Sequence, residues 1–222
     1  YAELSVLNLG LKLIVDYFEI ANMVVKRLSE IITVVFVTII GMTSFSCSNS
    51  NERRQYKQAI EKIQSQAIQL PLKGLIICKG QKSYDSHFNE DAKLKLIVFS
   101  DSLECTSCAI SHMYLWNPLI DYAKQFNGRL CYYFIFAPMK QEIHAVESMI
   151  TNIMFDYPIL LDTIGEFKML NPHLPQNTLL HSFLLNEKNE VILVGNPSQN
   201  KKIQELFYQL VEKNLRGLRF EN

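Results

Sequence analysis

Residues 94–108 read L-K-L-I-V-F-S-D-S-L-E-C-T-S-C, and the fold turns on how this stretch is read. Leu94 to Phe99 is apolar at every position but Lys95, the pattern of a strand buried on both faces. Ser100 to Ser102 is polar, and Ala109 to Phe126 has the apolar spacing of a helix. Cys105 and Cys108 therefore stand at a strand-to-helix junction, where a C-x-x-C pair can close a small disulfide across one helical turn. Amide N–H groups at the start of the helix favour the thiolate of the first cysteine. The spacing alone serves redox or metal chemistry, and the surroundings have to separate the two.

Outward from this stretch the chain alternates. Gly74 to Cys78 predicts a short strand, Gly80 to Asp91 a polar loop, and Leu130 to Phe136 (L-C-Y-Y-F-I-F) a second buried strand. A helix between two such strands predicts a βαβ unit with a crossover helix. Lys140 to Asn152 reads as a helix, Pro158 to Leu161 as a strand, and the chain is then helical to Leu170. Ser182–Leu185 and Val191–Val194 flank E-K-N-E as a hairpin, and Asn200 to Leu215 puts Ile203, Leu206, Phe207, Leu210 and Val211 on one helical face. Upstream, Tyr56, Ile60, Ile63 and Ala67 predict a helix from Arg53 that Pro71 stops. The expected class is α/β, a central mixed sheet flanked by helices.

The 222 residues carry 22 Lys and Arg against 22 Asp and Glu, with 48% hydrophobic content. That is enough for one good core and offers no charge excess to make nucleic acid the main partner. Met23 opens M-V-V-K-R, Ile31 to Ile40 is an apolar run, and Gly41 to Ser46 leads to Cys47. A basic start, an apolar core and small residues before a cleavage point describe a secretory signal. Ile31 to Ser46 is shorter than the ~20 residues that span a bilayer. The end of this signal resembles a relaxed bacterial lipoprotein box, with Ser44 and Ser46 around Phe45. The resemblance implies cleavage before Cys47, lipid on that cysteine, and an exported, membrane-anchored protein facing the periplasm or cell surface. The expected divisions are 1–22 as an upstream extension, 23–46 as signal peptide, 47–70 as tether and helix, and 71–217 as the folded domain.

Three stretches carry a wider resemblance. These are the one quoted above, Y-P-I-L-L-D-T-I-G-E-F from Tyr157, and H-S-F-L-L-N-E-K-N-E-V-I-L-V-G-N-P from His181. Together with the element order they resemble the thioredoxin-like fold of extracytoplasmic thiol-disulfide oxidoreductases of the TlpA/ResA type, closest to thioredoxin-like lipoproteins of Bacteroides-type bacteria. The similarity runs from about Leu75 to Leu215. It implies Cys105 as attacking and Cys108 as resolving thiol, acting on disulfides or thiols of envelope proteins. No cofactor is implied beyond the redox-active disulfide, and a membrane partner would supply electrons, since no flavin or nucleotide fingerprint is present. Asp162 and Gly165 fall where a strand of the family's insertion turns into a helix.

The chain departs from the family in two places. Leu103-Glu104 precedes Cys105 where thioredoxins usually carry a tryptophan, and Leu180 stands where the family has a cis-proline before the hairpin, with Pro175 five residues earlier. That proline loop presents backbone to substrate and keeps metal off the cysteines. Leu180 and His181 are therefore the expected active-site loop. The alternative function is a non-catalytic thioredoxin-like module that binds a protein partner or holds Cu or Zn on Cys105, Cys108 and His181, a donor set suited to soft metals. Glu104 opposes a thiolate on Cys105, and no Lys, Arg or His lies between Asp101 and Ile110 to favour one, so the expected couple is reducing. Cys78 and Cys131 are expected to be buried in strands, and Pro118 to kink the helix after the motif.

Overall fold

Strand β3 (Leu94–Asp101) is buried along nearly its whole length, with only Val98 partly open, as its unbroken apolar run requires. It pairs in parallel with β4 (Leu130–Ala137) and antiparallel with β6 (Ser182–Leu185). The computed structural model describes residues 22–36, 51–71, 74–83, 89, 92–102 and 105–217. The chain divides into two units, 1–56 and 57–222. In the first, residues 22–36 form an exposed helix. Among the described residues no helix is long and apolar enough to cross a membrane. Cys47 and the expected cleavage region lie outside the described residues.

The second unit is built on one seven-stranded sheet in the order β2-β1-β5-β4-β3-β6-β7, with β1 Leu75–Cys78, β2 Gln81–Ser83, β5 Ile159–Leu161 and β7 Val191–Val194. The β3–β4 and β4–β5 pairs are parallel and the rest antiparallel. Side chains alternate between two cores, as the period of two demands. Leu94, Leu96, Tyr132, Phe134 and Phe136 join the larger cluster, and Ile97, Phe99, Tyr133 and Ile135 the other. The larger cluster is closed by α2 (Thr106–Ser111), α3 (Asn117–Lys124), α4 (Ile143–Asn152) and α6 (Lys201–Arg216) through Ile110, Leu119, Ile150, Phe207 and Val211. The opposite face receives Ile63 from α1 (57–64, the part within this unit of a helical run from 51) and Phe167 from α5 (Glu166–Leu170).

The expected βαβ unit is present as β3, the helices after it, and β4. The hairpin has the bounds read from the sequence, and the strand order β4-β3-β6-β7 with a final helix is that of a thioredoxin-like fold. Two elements differ, as does the burial of two cysteines. The helical stretch expected from the cysteine pair through Ala109–Phe126 is broken into α2, a 3-10 turn at Met113–Trp116, and α3. Pro118 has no N–H to continue a helix, and it sits in the first turn of α3, where none is needed. The loop expected from Gly80 contains β2, whose three residues are all exposed and so carry no apolar pattern. Lys79 and Gly80 both have positive φ (49° and 76°), the conformation of a two-residue hairpin turn. Cys78 and Cys131 are only partly buried, because their strand ends lie near the sheet margin rather than in its centre.

After β5 the chain turns at Asp162, which is 1% exposed. Its two carboxylate oxygens accept hydrogen bonds from Glu166 N (3.0 Å) and Phe167 N (2.9 Å) at the start of α5. Gly165 takes φ +72° just before that helix, a left-handed conformation that glycine adopts without strain. Asp162→Ala strands these two donors in a buried setting and is expected to lower stability by about 1–3 kcal/mol. The measurement is the urea midpoint at unchanged slope, and a midpoint equal to wild type would show that the cap is dispensable.

Candidate active site at the C-terminal edge of the sheet

β3 ends at Asp101, and Cys105 is the extended residue (φ −70°, ψ 90°) that precedes α2. Leu103 and Glu104 lie outside the described residues. Cys105 and Cys108 are joined as a disulfide, their Cα atoms 5.2 Å apart, within the span such a bond allows. Both residues are exposed. Ser107 Oγ lies 3.3 Å from Cys105 Sγ, close enough for the hydroxyl to donate to that sulfur once it is reduced and ionised. The carbonyl of Cys108 accepts from Ser111 Oγ (2.8 Å) and lies 2.7 Å from His112 Nδ1.

The two cysteines open onto a cleft of about 440 Å³. Its floor is made by Val98 and Ser100 of β3 and Phe136 of β4, and one wall by Ala109, His112, Met113 and Trp116. The facing wall comes from Thr178 and Leu179 of a 3-10 turn, Ser182 of β6, and Asn196 and Gln199 beyond β7. No Asp, Glu, Lys or Arg is among these lining residues. The nearby carboxylate of Asp101 is 2% exposed and paired with Lys168 Nζ at 2.6 Å. It alternates with Ser100 along β3 and so sits on the other face of the sheet, where the ion pair ties the end of β3 to α5.

The loop before the hairpin does face the cysteines, but through Thr178, Leu179 and Ser182. Leu180 and His181 turn inward, 7% and 1% exposed. His181 Nε2 is 2.8 Å from the Pro175 carbonyl, which can only accept, and its ring packs 5.2 Å from Phe99. Among the described residues no three His, Cys, Asp or Glu side chains converge as a metal site would need. The expected alternative set of Cys105, Cys108 and His181 is therefore not brought together. No cis peptide occurs among the described residues. His144 is exposed. His173 is 7% exposed with neither ring nitrogen paired, and burial, then the Lys62 charge, lowers its pKa from the usual histidine range.

Sequence reasoning missed Ser100, Asn196 and Gln199. Ser100 was detectable, since it shares the strand face of Val98 by alternation and lies one place past the apolar run. Asn196 and Gln199 reach the cleft only because the β6–β7 hairpin returns beside β3, which no local pattern reveals.

No protein-family model matches the sequence, and neither does any curated protein. The fold is thioredoxin-like. Similar solved structures include a thioredoxin-like protein of Porphyromonas gingivalis, with 17% identity over 69% of this chain and 96% of that one and a TM-score of 0.44. A candidate thiol:disulfide interchange protein DsbE from Chlorobium tepidum matches with 13% identity over 65% and 94%, TM-score 0.43. A thioredoxin-like protein of Bacteroides caccae matches with 13% identity over 72% and 56%, TM-score 0.41. The fold assignment stands on the strand order and connections above.

Trp116, the sole tryptophan of the chain, lines the cleft with the disulfide and is 4% exposed, edge-on to Phe134 at 5.4 Å. A disulfide quenches a nearby excited indole by accepting its electron, whereas a dithiol does so less. Reduction should therefore brighten Trp116 emission, and the Cys105→Ser, Cys108→Ser double variant should show no change on adding reductant. Equal changes in both proteins would place the response elsewhere.

Proposed function

We propose that this protein is a thiol-disulfide oxidoreductase that works through Cys105 and Cys108. The observation that carries this reading is an exposed disulfide spanning one helical turn at the mouth of a cleft wide enough for part of a substrate. A structural cross-link would stabilise little here, because so short a loop restricts the unfolded chain only weakly. In the reduced protein the Cys105 thiolate attacks a substrate disulfide, forming a Cys105–substrate bond and releasing one substrate thiolate. Cys108 then attacks Cys105 Sγ, forms the intramolecular disulfide and releases the second substrate thiolate. The substrate gains two electrons and the protein loses two, so a partner must return them. A membrane donor and disulfide-bearing envelope proteins are the proposed partners.

Full-length protein equilibrated across a glutathione or dithiothreitol series, with thiols trapped, gives the potential of the couple. A reversible two-electron couple below about −180 to −210 mV, the poise of oxidising compartments, supports a reductase, and one at or above it an isomerase or oxidant. Cys105→Ser should reduce disulfide turnover to the uncatalysed rate, and Cys108→Ser should halt at a trappable mixed disulfide. Turnover that survives Cys105→Ser would sink the reading.

We further propose that the protein is exported and held to a membrane by lipid on Cys47. Lys26 and Arg27, the apolar run from Ile31 to Ile40, and Ser44 and Ser46 before Cys47 support this. Labelled fatty acid supplied to expressing cells should enter the wild-type chain and not Cys47→Ser, and equal labelling of both would contradict it.

A further inference from the structure

His112 stands four residues after Cys108, one helical turn, so the two residues lie on one face. Its Nδ1 is 2.7 Å from the Cys108 carbonyl oxygen. That oxygen can only accept, so Nδ1 carries the hydrogen, and Nε2 of the neutral ring is left as a bare lone pair. His112 is exposed and lines the cleft with both cysteines. Apart from the sulfurs, the other polar lining groups are hydroxyls and amides (Ser100, Thr178, Ser182, Asn196 and Gln199), none of which takes up a proton near neutrality.

Ser100 supplies an independent observation. It lines the same cleft, is 4% exposed, and its buried Oγ has no hydrogen-bond partner. A buried hydroxyl without a partner is costly. Here it is a donor aimed at a space where negative charge arises only during reaction.

We infer that His112 is the general base for Cys108, and that the Ser100 hydroxyl stabilises the charge that then develops on sulfur. The inference rests on the exchange reaction proposed above. In its second step Nε2 of His112 takes the Cys108 thiol proton as Cys108 Sγ attacks Cys105 Sγ. The Cys105–Cys108 bond forms, the Cys105–substrate bond breaks, and the departing substrate thiolate can recover the proton from the imidazolium. No acid is consumed and no electron is left over. Among the described residues, titratable groups on neighbouring elements do not compete for this role. His144 and Glu147 of α4, which packs against α2, do not line the cleft, and Glu147 is paired with Lys82. Tyr114 lies with its ring centroid 6.4 Å from that of His112, outside the cleft lining.

The test uses the reduced full chain and an aromatic disulfide whose thiolate absorbs light. Attack by Cys105 releases one thiolate, and attack by Cys108 a second, so the second phase reports resolution directly. In His112→Ala the second phase at pH 7 should slow about 100-fold, the scale of general-base assistance, while the first is unchanged. Its pH limb should move to higher pH, because without a base the thiol must ionise unaided. The two proteins should converge above that limb, and free imidazole should restore the variant. His112→Gln, which keeps a polar side chain, should behave likewise, and Ser100→Ala should slow the second phase without moving its limb. A second phase with unchanged rate and limb overturns the role of His112 and leaves disulfide exchange standing, as does a loss equal at every pH that imidazole does not rescue. Wild-type protein that releases no thiolate overturns both.

Discussion

Strand β3 is hydrogen-bonded to β4 along one edge and β6 along the other, and both its faces are covered. Over Lys95–Val98, where β3 is paired on both edges, the one polar side chain is Lys95, and it donates to Asn189 Oδ1. Polar chemistry can begin only where the pairing ends. β4 and β5 run parallel to β3 and finish at the same edge, and β6, running the other way, begins there. The cysteines, the turn before β6 and the segment after β7 consequently meet at one end of the sheet. The site is thus a consequence of strand direction, and its side chains come from segments that lie far apart in sequence.

What could be read in the chain follows from the same constraint. Strands buried on two faces announce themselves as apolar runs, which is why β3, β4 and the β6–β7 hairpin were legible. β2 lies at the margin with all three residues in solvent, held by backbone pairing to β1 and the Lys82–Glu147 ion pair, and neither leaves an apolar pattern in the sequence. The break at Met113–Trp116 was foreshadowed by Pro118, although a kink and a full interruption look alike in sequence. His181 shows the limit for site residues. Its position next to the hairpin was correct, yet the direction of its ring depends on Pro175 and Phe99, contacts that no spacing rule supplies.

Among the described residues, the cleft beside the disulfide is lined by apolar and uncharged polar side chains together with His112 and the sulfurs. In such surroundings a thiolate gains little from distant charges, and its stabilisation falls to hydrogen bonds at short range: Ser107 beside Cys105, and Ser100 on the floor. α2 is only six residues long, so the helix contributes little more than the amides of its first turn. The asymmetry between the cysteines then comes from their neighbours. Among the described residues, Cys105 has the Ser107 hydroxyl beside it, whereas Cys108 precedes an imidazole by one turn. An attacking sulfur needs to be accessible and ionised, and a resolving sulfur needs to lose its proton quickly on demand. The two environments differ in the sense that the proposed exchange requires.

The remaining described thiols, Cys78 and Cys131, are not placed to form a second pair. Cys78 is on β1 and Cys131 on β4, with β5 hydrogen-bonded between them. Two strand spacings of ~4.8 Å put their backbones roughly 10 Å apart, beyond the ~7 Å over which a disulfide can close without moving the chain. Burial pushes the Cys131 thiol up from its usual range, against the smaller opposite pulls of the Asn89 amide and the Lys95 charge, which keeps it protonated and a poor nucleophile. Its weak contacts to Gly128 O and Asn89 Nδ2 are those of a thiol filling space at a strand end. Sheet order separates these two sulfurs and burial quiets one of them, so Cys105 and Cys108 are the described cysteines placed to exchange.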